Sequence, residues 1–164
     1  MPRKPLTILI KPAGADCNLA CTYCFYRKKA ALYPETARHR MSDETLREMV
    51  RKYMNYSEAQ VAFAWQGGEP TLMGLDFYEQ AVHYQQLYGR PGQMVSNSLQ
   101  TNAVLLDSVG WARFLHRYKF LVGVSLDGPE DVHDTYRVTP GGEGTHARVV
   151  RSLHTLLENE VDVN

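Results

Sequence analysis

With 164 residues, 44% of them apolar and 22% charged, the chain is long enough to build one domain around a substantial core. Eighteen basic residues balance eighteen acidic ones, so no global field recruits nucleic acid or an anionic membrane. No apolar run reaches transmembrane length, and residues 6–10 are too short for a secretory signal core; a cytoplasmic location is expected.

Residues 6–10 read as a strand that leads into a loop holding all three cysteines. Ser42 can cap a helix whose first turn carries Asp43 and Glu44, favoured there by the helix dipole. Leu46, Met49, Val50, Tyr53 and Met54 give that helix one apolar face. Residues 61–65 form a second apolar run, ended by Gly67-Gly68. A helix through Phe77, Ala81, Tyr84 and Tyr88 follows and closes at Gly89 and Pro91. Residues 94–101 read as a weaker strand, 107–118 as a helix and 120–126 as the clearest strand, stopped by Asp127-Gly128-Pro129. Past a glycine-rich loop at 141–144, residues 146–158 read as helix and 161–163 as the start of a strand.

Four strand–helix units and the beginning of a fifth define an α/β chain. Their alternation predicts a parallel sheet with right-handed crossovers, either doubly wound or part or all of a βα barrel. In both architectures ligands bind beyond the C-terminal ends of the strands. The polar motifs fall there: cysteines after strand one, QGGEP after strand two, QTN ending strand three, SLDG ending strand four. Gln66, Gln100, Thr101 and Asn102 are further candidates to face a ligand, or to satisfy loop backbone.

Cys17, Cys21 and Cys24 are spaced C-x3-C-x2-C. Three thiolates from one loop can each bind one iron of an iron–sulfur cube, leaving the fourth iron open to a ligand. A disulfide is disfavoured by the odd count, the close spacing and a reducing cytosol. Structural zinc needs a fourth ligand, and the nearest histidine, His39, lies beyond the loop. A zinc-binding interaction module is therefore the alternative from outside the enzymes. An electron-transfer ferredoxin would normally bring a fourth cysteine.

The segment KPAGADCNLACTYCFY resembles the cluster loop of radical S-adenosylmethionine enzymes. The resemblance implies a [4Fe–4S] cluster on Cys17, Cys21 and Cys24 whose open iron chelates the amino and carboxylate groups of S-adenosylmethionine. One electron would then cleave the sulfonium and release a 5′-deoxyadenosyl radical. Tyr23 would line the adenine site, and Gly68 matches the glycine motif that binds the methionine amino group, with Glu69 its neighbour. Ser125 matches a cofactor-contacting serine, and Arg137 in HDTYRV the arginine that pairs with the cofactor carboxylate. Taken singly, Tyr23 is equally a core aromatic, Gly67-Gly68 a strand-closing turn, Asp127 a turn residue and Arg137 a surface ion pair.

CNLACTYCFY, WQGGEPTLMG, LQTNA and SLDGPEDVHDTYR, in that order, are similar to anaerobic sulfatase-maturating enzymes and their relatives with a SPASM domain. That similarity implies oxidation of a Cys or Ser of a sulfatase polypeptide to Cα-formylglycine, with a reductant such as flavodoxin or ferredoxin. A thioether-forming peptide maturase is the alternative within the class. It also implies a partial (β/α)6 TIM-like barrel, of which residues 1–164 would be the N-terminal part of the core domain, about four units long. The rest of the barrel, the acidic base and the SPASM domain are expected beyond Asn164. The strand at 120–126 is accordingly expected to present a raw edge.

Overall fold

The structure is a computed structural model that describes residues 6–30, 32 and 38–164. Its elements in chain order are β1 (Ile8–Ile10), α1 (Tyr26–Ala30), α2 (Asp43–Tyr56), β2 (Gln60–Trp65), α3 (Leu75–Tyr88) and β3 (Met94–Thr101). There follow α4 (Val109–Arg117), β4 (Leu121–Val124), α5 (Glu130–Tyr136), α6 (His146–Glu158) and β5 (Asp162–Val163). A 3-10 turn at Pro70–Met73 leads into α3.

All strands are parallel and lie in the order β1-β2-β3-β4-β5. Each pairs with its neighbour in the chain, so the sheet winds in one direction. A doubly wound sheet would reverse near its middle, so this arrangement is the barrel type. Right-handed crossovers in one winding direction carry the connecting helices to one face. There α2 packs on α3, α3 on α4 and α4 on α6.

The alternation of the strands serves this layering. Val61, Phe63 and Trp65 of β2, Leu99 of β3 and Val122 of β4 are buried. Leu9, Ala64, Ser98, Gln100, Leu121 and Gly123 line a hollow of about 170 Å³ on the opposite, concave face. On the helix side, Tyr78 meets Trp65 and Trp111 edge to face, each with ring centroids 5.5 Å apart. Such aromatic pairs add about 0.5–1.5 kcal/mol to the burial of their surface.

Two findings explain what the pattern hid. Strand β3 reads weakly because it carries polar side chains, yet Asn97 is buried with its amide paired to Gln85 and to the Trp65 indole. Helix α5 spans seven residues, too few for a periodic signal. Its Asp134 carboxylate also caps α6, accepting from the N–H groups of Thr145 (2.7 Å) and His146 (2.8 Å). The edge of β4 is not raw: β5 pairs with Leu121 and Val122, and Val124 N–H donates to the Asn164 carbonyl. Among the described residues, no helix is long and apolar enough to cross a membrane.

Candidate active site

The loop after β1 is stitched down on two sides. Toward β2, Gly68 N–H donates to the Gly14 carbonyl (3.0 Å) and Glu69 N–H to that of Asp16 (2.7 Å). Toward α5, Ala20 N–H donates to the Val138 carbonyl (2.7 Å) and Thr22 N–H to that of Tyr136 (2.9 Å). The backbones approach so closely at Gly68 that a Cβ there would lie 2.1 Å from the Asp16 carbonyl oxygen. Glycine is required for that approach. The family resemblance gave Gly68 to the glycine motif that binds the cofactor's amino group. In the structure the Gly68 N–H is spent on the Gly14 carbonyl of the cysteine loop.

Cys17, Cys21 and Cys24 line one cavity of about 260 Å³, together with Tyr23, Gly68, Ser125 and Arg137. Every residue singled out as a candidate ligand or cofactor contact therefore comes to one place. Gln66, Gln100, Thr101 and Asn102 line it too. The three thiols are free of disulfides. Burial, with Glu69 and the other two cysteines adding negative charge, pushes the Cys17 thiol up to about 11; burial also raises Cys21. Such thiols ionise when a cation shares the site. Soft donors from one short loop suit iron–sulfur chemistry. Leu19 N–H, 3.4 Å from the Cys17 sulfur, and the Asn102 amide at 3.7 Å already point donors at one of them.

Among the described residues, no three His, Cys, Asp or Glu converge on a single ion. A cube asks only that each thiolate reach its own iron. The ring of His39 hydrogen-bonds through Nδ1 to Asp16 (2.8 Å) and does not line the thiol cavity. The donor set thus fits a cluster.

Asp127 joins two residues that the sequence presented separately. Tyr23 Oη donates to its Oδ2, Arg137 Nη2 donates to its Oδ1 (2.9 Å), and Arg137 Nε lies 2.9 Å from Oδ2. The guanidinium also sits 5.5 Å from the centre of the Tyr23 ring. Arg137 holds the Asp127 carboxyl below its ordinary value, while desolvation and Asp127 push the Tyr23 phenol up to about 12. The ion-pair reading of Arg137 is thus realised, within the cavity wall rather than on open surface. Behind it, fully buried His133 accepts from Asp127 N–H at Nδ1 (3.3 Å). Its Nε2 then donates to the Thr145 hydroxyl, which donates to the Arg137 carbonyl.

Glu69 faces away from the cavity and is fully buried. Its carboxylate accepts from Thr71 N–H (2.9 Å), the Thr71 and Thr101 hydroxyls (2.6 and 2.7 Å) and Asn102 N–H (2.8 Å). It locks the end of β2 to the end of β3. Ser125 Oγ accepts from the Gln100 amide (3.1 Å), whose side chain occupies the space that a Cβ on Gly123 would fill.

The profile of the radical SAM superfamily matches residues 12–164. The serine-type anaerobic sulfatase-maturating enzyme of Bacteroides thetaiotaomicron is 42% identical over 162 residues, covering 98% of this chain and 39% of that enzyme. The cysteine-type enzyme of Clostridium perfringens is 41% identical over 160 residues, covering 98% and 43%. The chain thus spans about two-fifths of the length of these relatives. Among solved structures, native anSMEcpe with bound AdoMet and Cp18Cys peptide matches with a TM-score of 0.89 at 40% identity, over 98% of this chain and 42% of that one. Native anSMEcpe with bound AdoMet alone also gives 0.89 and 40%, over 98% and 43%. With the profile running from the cysteine loop to Asn164 and the sheet superposing on these enzymes, the chain belongs to the radical SAM superfamily.

Proposed function

We propose that Cys17, Cys21 and Cys24 hold a [4Fe–4S] cluster with S-adenosylmethionine on its open iron, and that this protein matures sulfatases by oxidising a Cys or Ser side chain to Cα-formylglycine. The observation that carries the reading is the meeting of three unpaired thiols from one loop with polar groups from three strand ends in a single cavity. When bound, the cluster and S-adenosylmethionine supply a hydrogen-abstracting 5′-deoxyadenosyl radical.

The chain's own residues bind and orient. The Gly68 carbonyl can accept from the cofactor ammonium, and Ser125 can donate its hydroxyl proton to the carboxylate, since Gln100 already donates to Ser125. Arg137 adds positive charge toward that carboxylate while Asp127 fixes its plane. Tyr23, held by the same aspartate, offers its ring to the adenine. No base is assigned here: Glu69 is enclosed by its own donors and Asp127 is committed to Tyr23 and Arg137. A cytoplasmic location and a flavodoxin or ferredoxin reductant complete the reading.

The test is anaerobic reconstitution followed by reaction with a reductant, S-adenosylmethionine and sulfatase-derived Cys and Ser peptides. Mass spectrometry is expected to find an aldehyde side chain together with 5′-deoxyadenosine. A crosslinked peptide without aldehyde would assign the protein to thioether formation instead.

A further inference from the structure

A second, open hollow of about 670 Å³ adjoins the cysteine loop, lined by Asp16, Cys17, Arg27, Arg38 and Arg40 over an apolar floor of Leu19 and Leu72. It shares Cys17 with the cofactor cavity and no other lining residue. The first cysteine therefore stands as a partition between the two.

Among the described residues, the charge of this hollow is one-sided. Arg27, Arg38 and Arg40 are exposed, as are Lys28 and Lys29, which follow Arg27 on α1. Among the described residues, the carboxylate lining it is Asp16, and that group is already engaged. It accepts from His39 N–H (2.7 Å) and Arg40 Nη1 (2.8 Å), and its other oxygen meets the His39 ring. Arg40 and Asp16 offset one another, which leaves Arg27 and Arg38 as the charges of the lining, with exposed Lys28 next to Arg27 on α1. The chain as a whole is neutral, so this is a local excess. A concave surface of one sign raises the encounter rate of an oppositely charged partner by about 10 to 1,000-fold, with strong salt dependence.

We infer that this hollow is the docking face for an acidic one-electron carrier protein, which delivers its electron to the cluster through the sulfur of Cys17. This rests on the cluster assignment proposed above. In the step, the reduced carrier loses one electron and the cluster gains it; no bond is made or broken and no proton moves. The small apolar floor supplies contact, and the arginines, with Lys28 beside them, supply steering.

The experiment compares the wild-type protein, reconstituted with its cluster, with an Arg38→Glu/Lys28→Glu double variant, neither residue touching the cofactor cavity. Reduced flavodoxin is the carrier probe, and reduced methyl viologen is the small-molecule control. Arg113→Glu, an exposed charge on α4, controls for net charge. Stopped-flow absorption is expected to show the flavodoxin rate falling at least about tenfold at low salt in the double variant, with its salt dependence flattened. Isothermal titration of oxidised flavodoxin onto cluster-free protein is expected to show a weaker Kd, with the viologen rate and iron content unchanged. An unaltered flavodoxin rate and Kd, or an equal loss from Arg113→Glu, would overturn the docking face while leaving the cluster in place. A wild-type protein that takes up no iron would overturn both proposals, and the viologen control detects it.

Discussion

Under the sheet, Phe63, Trp65, Tyr78 and Phe120 are sealed from water and meet ring against ring. At the strand ends, the sealed groups are instead the side chains of Glu69, Thr71 and Thr101 and the backbone N–H of Asn102, held by hydrogen bonds centred on one carboxylate. The two regions share strands β2 and β3 but solve burial differently. Apolar packing tolerates exchanges of similar volume and is mostly non-directional. A buried carboxylate with four donors fixes orientation, at the risk of a large loss if one partner goes. That is the better foundation for a rim that must keep three thiols unpaired yet in register.

The contrast can be broken from either side. Phe63→Ala empties a fully packed position and is expected to cost about 3–5 kcal/mol in chemical denaturation, with iron bound per folded molecule unchanged. Glu69→Ala should cost about 3 kcal/mol, because it strands the buried N–H groups of Thr71 and Asn102. Unlike Phe63→Ala it should also lower cluster occupancy, and Glu69→Gln should recover part of both losses; equal iron content in Glu69→Ala and wild type would mean the rim does not depend on the carboxylate.

Smaller effects sharpen the picture within the rim. Arg137→Ala is expected to weaken S-adenosylmethionine binding by about ten- to a hundredfold, the loss of one charge-assisted pair, with iron content retained. An unchanged dissociation constant would confine Arg137 to holding Asp127. Gly68→Ala should cost about 1–3 kcal/mol in stability, since its Cβ meets the Asp16 carbonyl and displaces the cysteine loop. Its signature should be poor cluster reconstitution with little change in the far-ultraviolet dichroism.

Periodicity carried most of the fold in the sequence, and local clustering carried the thiols. The apolar run at 61–65 and the apolar face of Leu46, Met49, Val50, Tyr53 and Met54 translate directly into β2 and α2. The three cysteines lie within eight residues, so their meeting needed no knowledge of the fold. What stayed hidden depends on distant pairs. Asp127 looks like a turn residue until Tyr23, 104 residues earlier, donates to it. Glu69 is illegible for the same reason, since two of its donors come from β3 and the residue after it, more than 30 positions on. The need for glycine at position 68 arises from a backbone approach by Ala15 and Asp16, which no local pattern records.

If one loop holds a cluster in a cavity shared with three strand ends, iron and sulfide analysis after anaerobic reconstitution should separate wild type from the Cys17→Ala/Cys21→Ala/Cys24→Ala variant. Wild type should bind about four irons and four sulfides per chain with the broad absorption at about 400 nm, and the variant should bind none at this site. Equal iron and sulfide in the two proteins would contradict the account.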